Sequence, residues 1–249
     1  MNTTKKTSTK NTFLGFASNY ELVDTTYYPT CSPLPFAIKE VSSTQEILGG
    51  STYINEKARK NTFESHSEDA NIIHLALHSQ LNSTHPDQSA LVFQSDTTYE
   101  YLKASEIYNM DLNADLTILS ACNTAVGEIN AGDGVRSITR SFIHAGSASV
   151  LTSLWEAPDV STSQIIHNFY NELKSGIPKD VALRKAKIKY LENALPSYKH
   201  PKYWAHLILV GNTGAMQFSN GISSINLWIG GIILLLLLIG LILKWRNNS

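Results

Sequence analysis

Two residues of this chain are of types that do nucleophilic chemistry together, Cys122 and His78. A thiol near neutral pH is mostly protonated, so attack on a carbonyl needs a neighbour to take its proton. Imidazole, with an ordinary pKa near 6.5, is the natural acceptor. His78 ends the run Ala70 to Leu77, which is almost continuously apolar and reads as a strand buried on both faces. Cys122 lies just past Asp115 to Ser120, a short run of strand formers without helical period. Parallel strands bring their carboxyl ends to one edge, where open α/β sheets keep their sites. The pattern therefore puts an imidazole within reach of a thiol, the arrangement for acyl transfer. A strand-end cysteine is more often an inert packing thiol; the matching histidine sets this one apart.

The elements that must carry these residues follow from periodicity. Thr12 to Pro35 resists assignment: Phe-Leu-Gly-Phe-Ala, then a passage rich in Tyr, Pro and Ser. Phe36 to Leu48 carries Ala37, Val41, Ile47 and Leu48 and is expected to be a helix stopped by Gly49-Gly50. Asn55 to His66 reads as a weaker helix. Leu91-Val92-Phe93 and Tyr99 to Leu102 read as a hairpin, and Ser105 to Met110 as a helical turn. After Cys122 come a polar loop, Asn123 to Gly132, and Asp133 as the N-cap of a helix carrying Val135, Ile138 and Phe142. Ser149 to Thr152 is a strand, Ser161 to Lys174 an amphipathic helix, and Pro178 opens another. Trp204 to Val210 closes the series as a strand. Strands separated by helices mean an α/β fold with a mostly parallel sheet.

Several motifs lie in order along this frame: His74-Leu75-Ala76-Leu77-His78, Leu119-Ser120-Ala121-Cys122-Asn123-Thr124, Gly132-Asp133-Gly134, Ser153-Leu154-Trp155, and Tyr203-Trp204 with Leu209-Val210-Gly211. Together they resemble the CHAT domain, a caspase-like cysteine peptidase family related to separases, over roughly Phe13 to Thr213. Cys122 follows His78 by 44 residues and keeps an Ala-Cys pair. Caspases place their histidine about 50 residues before Gln-Ala-Cys; here Ser120 stands for the Gln. The resemblance implies a caspase-like α/β/α sandwich over residues 12–216, a catalytic His78–Cys122 dyad, and no metal or organic cofactor. The backbone amides of Ser79 and Cys122 are the candidates for holding the oxyanion, with Ser79 replacing the glycine usual in the family. Family domains tend to begin with further strands and to follow helical repeats. The chain is therefore expected to be an N-terminally truncated or minimal form, with a helical-repeat protein as a regulatory partner in trans.

Asp133, Trp155, Glu156 and Asp159 are candidates for a pocket that selects a basic side chain before the scissile bond; Asp133 and Asp159 could instead cap helices. His74, four residues before His78, lacks the Glu at position 75 that a helical zinc pair would carry and reads as a hydrogen-bonded core histidine. His144, His167, His206 and Cys31 read as structural. Gly132 and Gly134 suggest a flexible active-site loop rather than a phosphate cradle, since no Lys-Ser/Thr pair follows them.

A chain of 249 residues with a formal net charge of −1 has no basic footprint for nucleic acid. Two cysteines without a Cys-x-x-Cys pair argue against structural zinc and for a reducing compartment. Residues 1–11 form a basic tail with no apolar run behind it, expected to be disordered. The stretch Leu227 to Leu243 has no charged residue, and with Ile225 and Asn226 it approaches the ~20 residues that cross a bilayer. Trp228 and Trp245 flank it, and Lys244 and Arg246 close it within the short tail 244–249. Residues 225–243 are thus expected to be a transmembrane helix. The absence of an export signal keeps the domain cytoplasmic as a tail-anchored protein, although the two closing cations favour the opposite orientation. The expected function is a membrane-anchored, caspase-like cysteine endopeptidase acting on protein or peptide substrates in regulated proteolysis. The alternative is a weak or inactive scaffold of the same fold that binds a protein partner at the membrane. A doubly wound ligand-binding module would need a glycine fingerprint that the chain lacks.

Overall fold

The strand that periodicity hides is the first one. In the computed structural model, which describes residues 12–20, 31–95, 98–120 and 131–218 (side chains within 131–136 excepted), Phe13–Ala17 forms β1 and is buried throughout. Five residues with a glycine in the middle make a poor strand by propensity. Packing supplies the reason for the glycine. A Cβ on Gly15 would lie 2.5 Å from Cγ1 of Val41, so its absence lets helix α1 (Ala37–Leu48) close onto the sheet. Strand β2 (Ser51–Ile54) follows and pairs parallel with β1; none of its side chains is fully buried, which explains its weak apolar signal.

The chain continues through α2 (Lys60–His66), β3 (Ile72–Ala76), β4 (Ser79–Gln80), β5 (Ala90–Gln94), β6 (Tyr99–Lys103), α3 (Ala104–Tyr108) and β7 (Leu116–Leu119). It then forms α4 (Ala131–His144), β8 (Ser149–Ser153), α5 (Asp159–Lys174), α6 (Lys179–Asn193) and β9 (Leu207–Gly211). Among the described residues the main sheet has the order β2-β1-β3-β7-β8-β9. Its first five strands are parallel, and β9 runs antiparallel to β8. Strands β4, β5 and β6 make a small antiparallel sheet that contains the expected hairpin.

Alternation along the strands divides the core into two layers. Leu14 and Phe16 of β1, with Ile73 and Leu75 of β3, join Phe63, Phe93, Ile107, Ile138 and Phe142 in one cluster. On the other face Phe13 and His74 meet Tyr170 of α5, with ring centroids 6.2 and 5.7 Å apart. Burying a side chain of Phe size is worth about 2–3 kcal/mol, so either layer alone would hold the helices over it. The result is an α/β/α sandwich.

Three local expectations are corrected. Helix α4 starts at Ala131, so Asp133 lies in its first turn and is not the N-cap, and Gly132 and Gly134 belong to the helix. Two glycines weaken a helix start, but Ile138 and Phe142 are buried on the sheet and carry the rest of it. Asp159 does not cap α5 either: it is that helix's first residue, behind Pro158. Finally, Trp204 to His206 precede β9, because the turn Pro201–Tyr203 keeps the chain out of the sheet until Leu207.

Met1–Gln217 and Phe218–Ser249 are two separate units. The expected basic tail 1–11, the thiol of Cys122 and the expected membrane span 225–243 lie outside the described residues. Among the described residues no helix is long and apolar enough to cross a membrane.

Candidate active site

His78 follows the end of β3 by two residues and is 1% exposed. Its Nε2 lies 2.6 Å from the carbonyl oxygen of Ser32. A carbonyl can only accept, so Nε2 carries the hydrogen and Nδ1 keeps its lone pair. Nδ1 is buried and has no hydrogen-bond partner among the described residues. Burial pulls the imidazole pKa below its ordinary 6.5, and the Ser32 carbonyl opposes this only in part. The ring is therefore neutral at pH 7, the form that accepts a proton.

Tyr20, in the passage that periodicity left unassigned, seats this ring. The two ring centroids are 4.7 Å apart. The tyrosine hydroxyl accepts the His78 backbone N–H at 3.2 Å and donates to the Val92 carbonyl. It stands where a direct His78–Val92 ladder bond would be, since Val92 N–H already donates to the His78 carbonyl at 2.8 Å. Burial holds the phenol well above its ordinary pKa, so it remains a donor. Its backbone has φ 56°, a left-handed conformation that non-glycine residues adopt rarely and mostly where the surroundings over-determine it.

The ladder also decides what the Ser79 amide can do. Ser79 pairs with Leu91 in antiparallel register, one residue beyond the hydrogen-bonding His78–Val92 pair. Antiparallel ladders alternate, so Ser79 occupies a non-hydrogen-bonded position and its N–H is directed away from β5. Cys122 itself lies outside the described residues. Ser120, two residues before it, lines the same cleft as His78, and two residues span at most about 7 Å.

That cleft has a volume of about 440 Å³ and is lined by Ser32, His78, Ser120, Glu156 and Asp159, with Lys202 and Tyr203 among the other wall residues. Its described wall thus carries two carboxylates against one ammonium. Burial raises the Asp159 carboxyl from 3.8 to about 6, with the Phe36 amide opposing and the charge of Glu40 adding to the rise. The Asp159 carboxylate accepts the backbone N–H of Phe36 at 2.8 Å, so it caps the start of α1. Trp155 stands beside the cleft, its indole N–H donating to the Lys202 carbonyl at 3.0 Å. The side chain of Asp133 is outside the described residues.

His74 is the hydrogen-bonded core residue expected of it. Its Nε2 lies 2.8 Å from Oε1 of Glu40 and 3.3 Å from Oγ of Ser120. Serine, histidine and glutamate thus meet, but not as a hydrolytic triad: both partners share one nitrogen, whereas a triad uses the two opposite ones. His206 is also core, with Nε2 3.1 Å from Oγ1 of Thr162. Burial, with the Lys187 charge adding, lowers its pKa to about 4. Among the described residues no group of three His, Cys, Asp or Glu could hold a metal ion. The site residues that periodicity missed are Tyr20, Ser32, Ser120, Lys202 and Tyr203. Ser120 and Tyr203 lie in the motifs quoted above; of the others only Ser32 sits beside a local signal, Pro33-Leu34-Pro35, and that signal reports stiffness rather than chemistry.

The family model described as "CHAT domain" matches residues 3–212. Tetratricopeptide repeat protein 28 of Mus musculus is 26% identical over 214 residues, covering 72% of this chain and 9% of its own. Its Homo sapiens counterpart is 26% identical over the same length, with 8% of its own chain covered. The chain therefore spans about a tenth of the length of these relatives. Among solved structures, separase in the Saccharomyces cerevisiae separase–securin complex superposes with TM-score 0.51 at 15% identity, over 83% of this chain and 12% of its own. The Arg-specific cysteine proteinase gingipain R superposes with TM-score 0.51 at 8% identity, over 83% of this chain and 47% of its own. At such identities the likeness is one of fold, the caspase-like α/β arrangement with a mostly parallel sheet.

Proposed function

The chain belongs to the CHAT domain family, and from that premise we propose that it is a membrane-anchored, caspase-like cysteine endopeptidase working through Cys122 and His78. The Cys122 thiolate attacks the scissile carbonyl while Nδ1 of His78 takes the thiol proton. The amides of Ser79 and Cys122 hold the oxyanion. His78 returns the proton to the leaving amine, and water then hydrolyses the thioester. The observation that carries this reading is the tautomer at its place: the Ser32 carbonyl occupies Nε2 of a His78 that lines the same cleft as Ser120, two residues before Cys122, and so leaves Nδ1 to accept. The core histidines His74 and His206 also have an unpartnered Nδ1, but their Nε2 atoms meet side chains inside the core, whereas His78 lines the cleft.

Glu156 and Asp159, assisted by Trp155 and Asp133, select a basic residue before the scissile bond. The acidic excess of the described cleft wall supports this, and gingipain R, of similar fold, is itself described as Arg-specific. Residues 225–243 anchor the domain to a bilayer, with the domain on the cytoplasmic side; their uncharged composition and flanking tryptophans support this. A helical-repeat partner acts on the domain in trans, a role supported by relatives named for tetratricopeptide repeats. The test is the pH dependence of Cys122 alkylation in the full chain in detergent, against a His78→Ala variant. Reaction well below about pH 8 that collapses without His78 supports the dyad. Equal rates in the two proteins, with a thiol pKa near about 8.5, defeat it and leave the scaffold alternative.

A further inference from the structure

The carbonyl that sets the His78 tautomer belongs to the segment Cys31-Ser32-Pro33-Leu34-Pro35-Phe36, of which Ser32, Pro33 and Pro35 are exposed. Only Leu34 in its middle is half-buried, packed against Tyr20, Cys31 and Val92, yet the backbone is closely held. Pro33 and Pro35 have fixed φ and no N–H to offer. The Leu34 N–H donates to the Asn19 carbonyl at 2.9 Å, and the Phe36 N–H donates to Oδ2 of Asp159 at 2.8 Å. At the other end the Cys31 side chain is buried with Tyr20 and Val92, the residues that seat the His78 backbone. The segment is thus a proline-stiffened brace, packed under Tyr20 at one end and clasped by Asp159 at the other.

We propose that Asp159 is a positioning residue for His78: by accepting the Phe36 N–H it holds the brace so that the Ser32 carbonyl stays on Nε2. Asp159 does not touch the imidazole and acts through the segment. What matters is its capacity to accept a hydrogen bond, not its charge, which separates this role from the selection of a basic substrate. The inference rests on the reading of His78 as the proton acceptor of the site.

The experiment compares Asp159→Leu, which removes the acceptor, with Asp159→Asn, which removes only the charge. The main readout is the ¹⁵N spectrum of the His78 ring in the full chain in detergent, with exchange of the Phe36 amide as a second. Asp159→Leu is expected to replace the single Nε2–H tautomer with a mixture, to expose the Phe36 amide to exchange, and to slow Cys122 alkylation roughly 10-fold or more. Asp159→Asn is expected to restore the wild-type tautomer and the Phe36 protection. A Pro33→Gly/Pro35→Gly variant loosens the brace without touching the acidic wall and should shift the His78 spectrum in the same direction as Asp159→Leu. A folded Asp159→Leu protein with the wild-type His78 spectrum overturns the proposal, as does an Asp159→Asn spectrum matching that of Asp159→Leu. The spectrum reads the ring directly and does not require Cys122 to react. If His78→Ala leaves alkylation unchanged while Asp159→Leu still mixes the tautomers, the peptidase assignment fails and the brace stands.

Discussion

His74 and His78 stand four residues apart, both 1% exposed or less, and the protein uses them in opposite ways. His74, inside β3, bonds a carboxylate from the first turn of α1, and Glu40 is itself 2% exposed. That charge-assisted bond ties the ring to the packing of helix on sheet. His78, beyond the strand end, bonds a backbone carbonyl. A carbonyl orients the ring without supplying a countercharge, so burial prevails and keeps it neutral. Burial alone does not separate a structural histidine from one available for chemistry; the partner does.

The largest expected effect breaks the structural half of this pair. Glu40→Ala leaves the buried His74 N–H without its main acceptor and should cost about 2–4 kcal/mol in urea unfolding. Glu40→Gln, which keeps an acceptor, should recover most of it. A loss under about 1 kcal/mol would mean that the pair does not hold α1 to the sheet. The chemical half behaves differently. His78→Ala should slow Cys122 alkylation at about pH 7 by about 10²-fold or more, while its urea midpoint falls less than that of Glu40→Ala.

A third histidine sharpens the contrast through pH. His206 has a folded pKa of about 4 against an ordinary 6.5, so below 6.5 the unfolded chain takes up a proton that the folded one refuses. Its contribution is complete above pH 6.5 and is lost as the pH falls toward 4, about 3 kcal/mol in all. His206→Gln should flatten that part of the curve of stability against pH; an unchanged acid limb would show that the ring is already wet in the folded protein.

The smallest effect concerns the clasp. The folded Asp159 carboxyl titrates at about 6 rather than 3.8, so its ionisation opposes folding. That cost is complete above about pH 6 and fades as the pH falls toward 3.8. Asp159→Asn should therefore stabilise the protein at pH 7 by about 1–2 kcal/mol, a figure reduced for the partial exposure of the group, and by nothing below about pH 4. Equal stabilisation at both pH values would assign the gain to something other than charge.

Much of the frame was legible in advance. The strands that lead to His78 and Ser120 announce themselves by nearly unbroken apolar runs, because a strand covered on both faces has few polar positions. Helix α5 does so by its apolar stripe, and α6 by the Gly176 and Pro178 that precede it. Strand β1 was not legible, because its glycine is demanded by Val41 on a different element. Asp159 read as a cap for the helix that it opens, and local sequence held no hint that its carboxylate caps another helix instead.

The amino-acid sequence by itself determined the layered α/β class and placed His78 at a strand's carboxyl end, because local periodicity records which residues face a sheet. Only the tertiary structure decided which nitrogen of His78 carries its hydrogen and what holds that choice in place. Those depend on the Ser32–His78 bond, which joins residues 46 apart in the chain, and on the Phe36–Asp159 bond, which joins residues 123 apart. No local pattern encodes contacts at such separations; they exist only once two packed layers bring the ends of distant elements to one edge of the sheet.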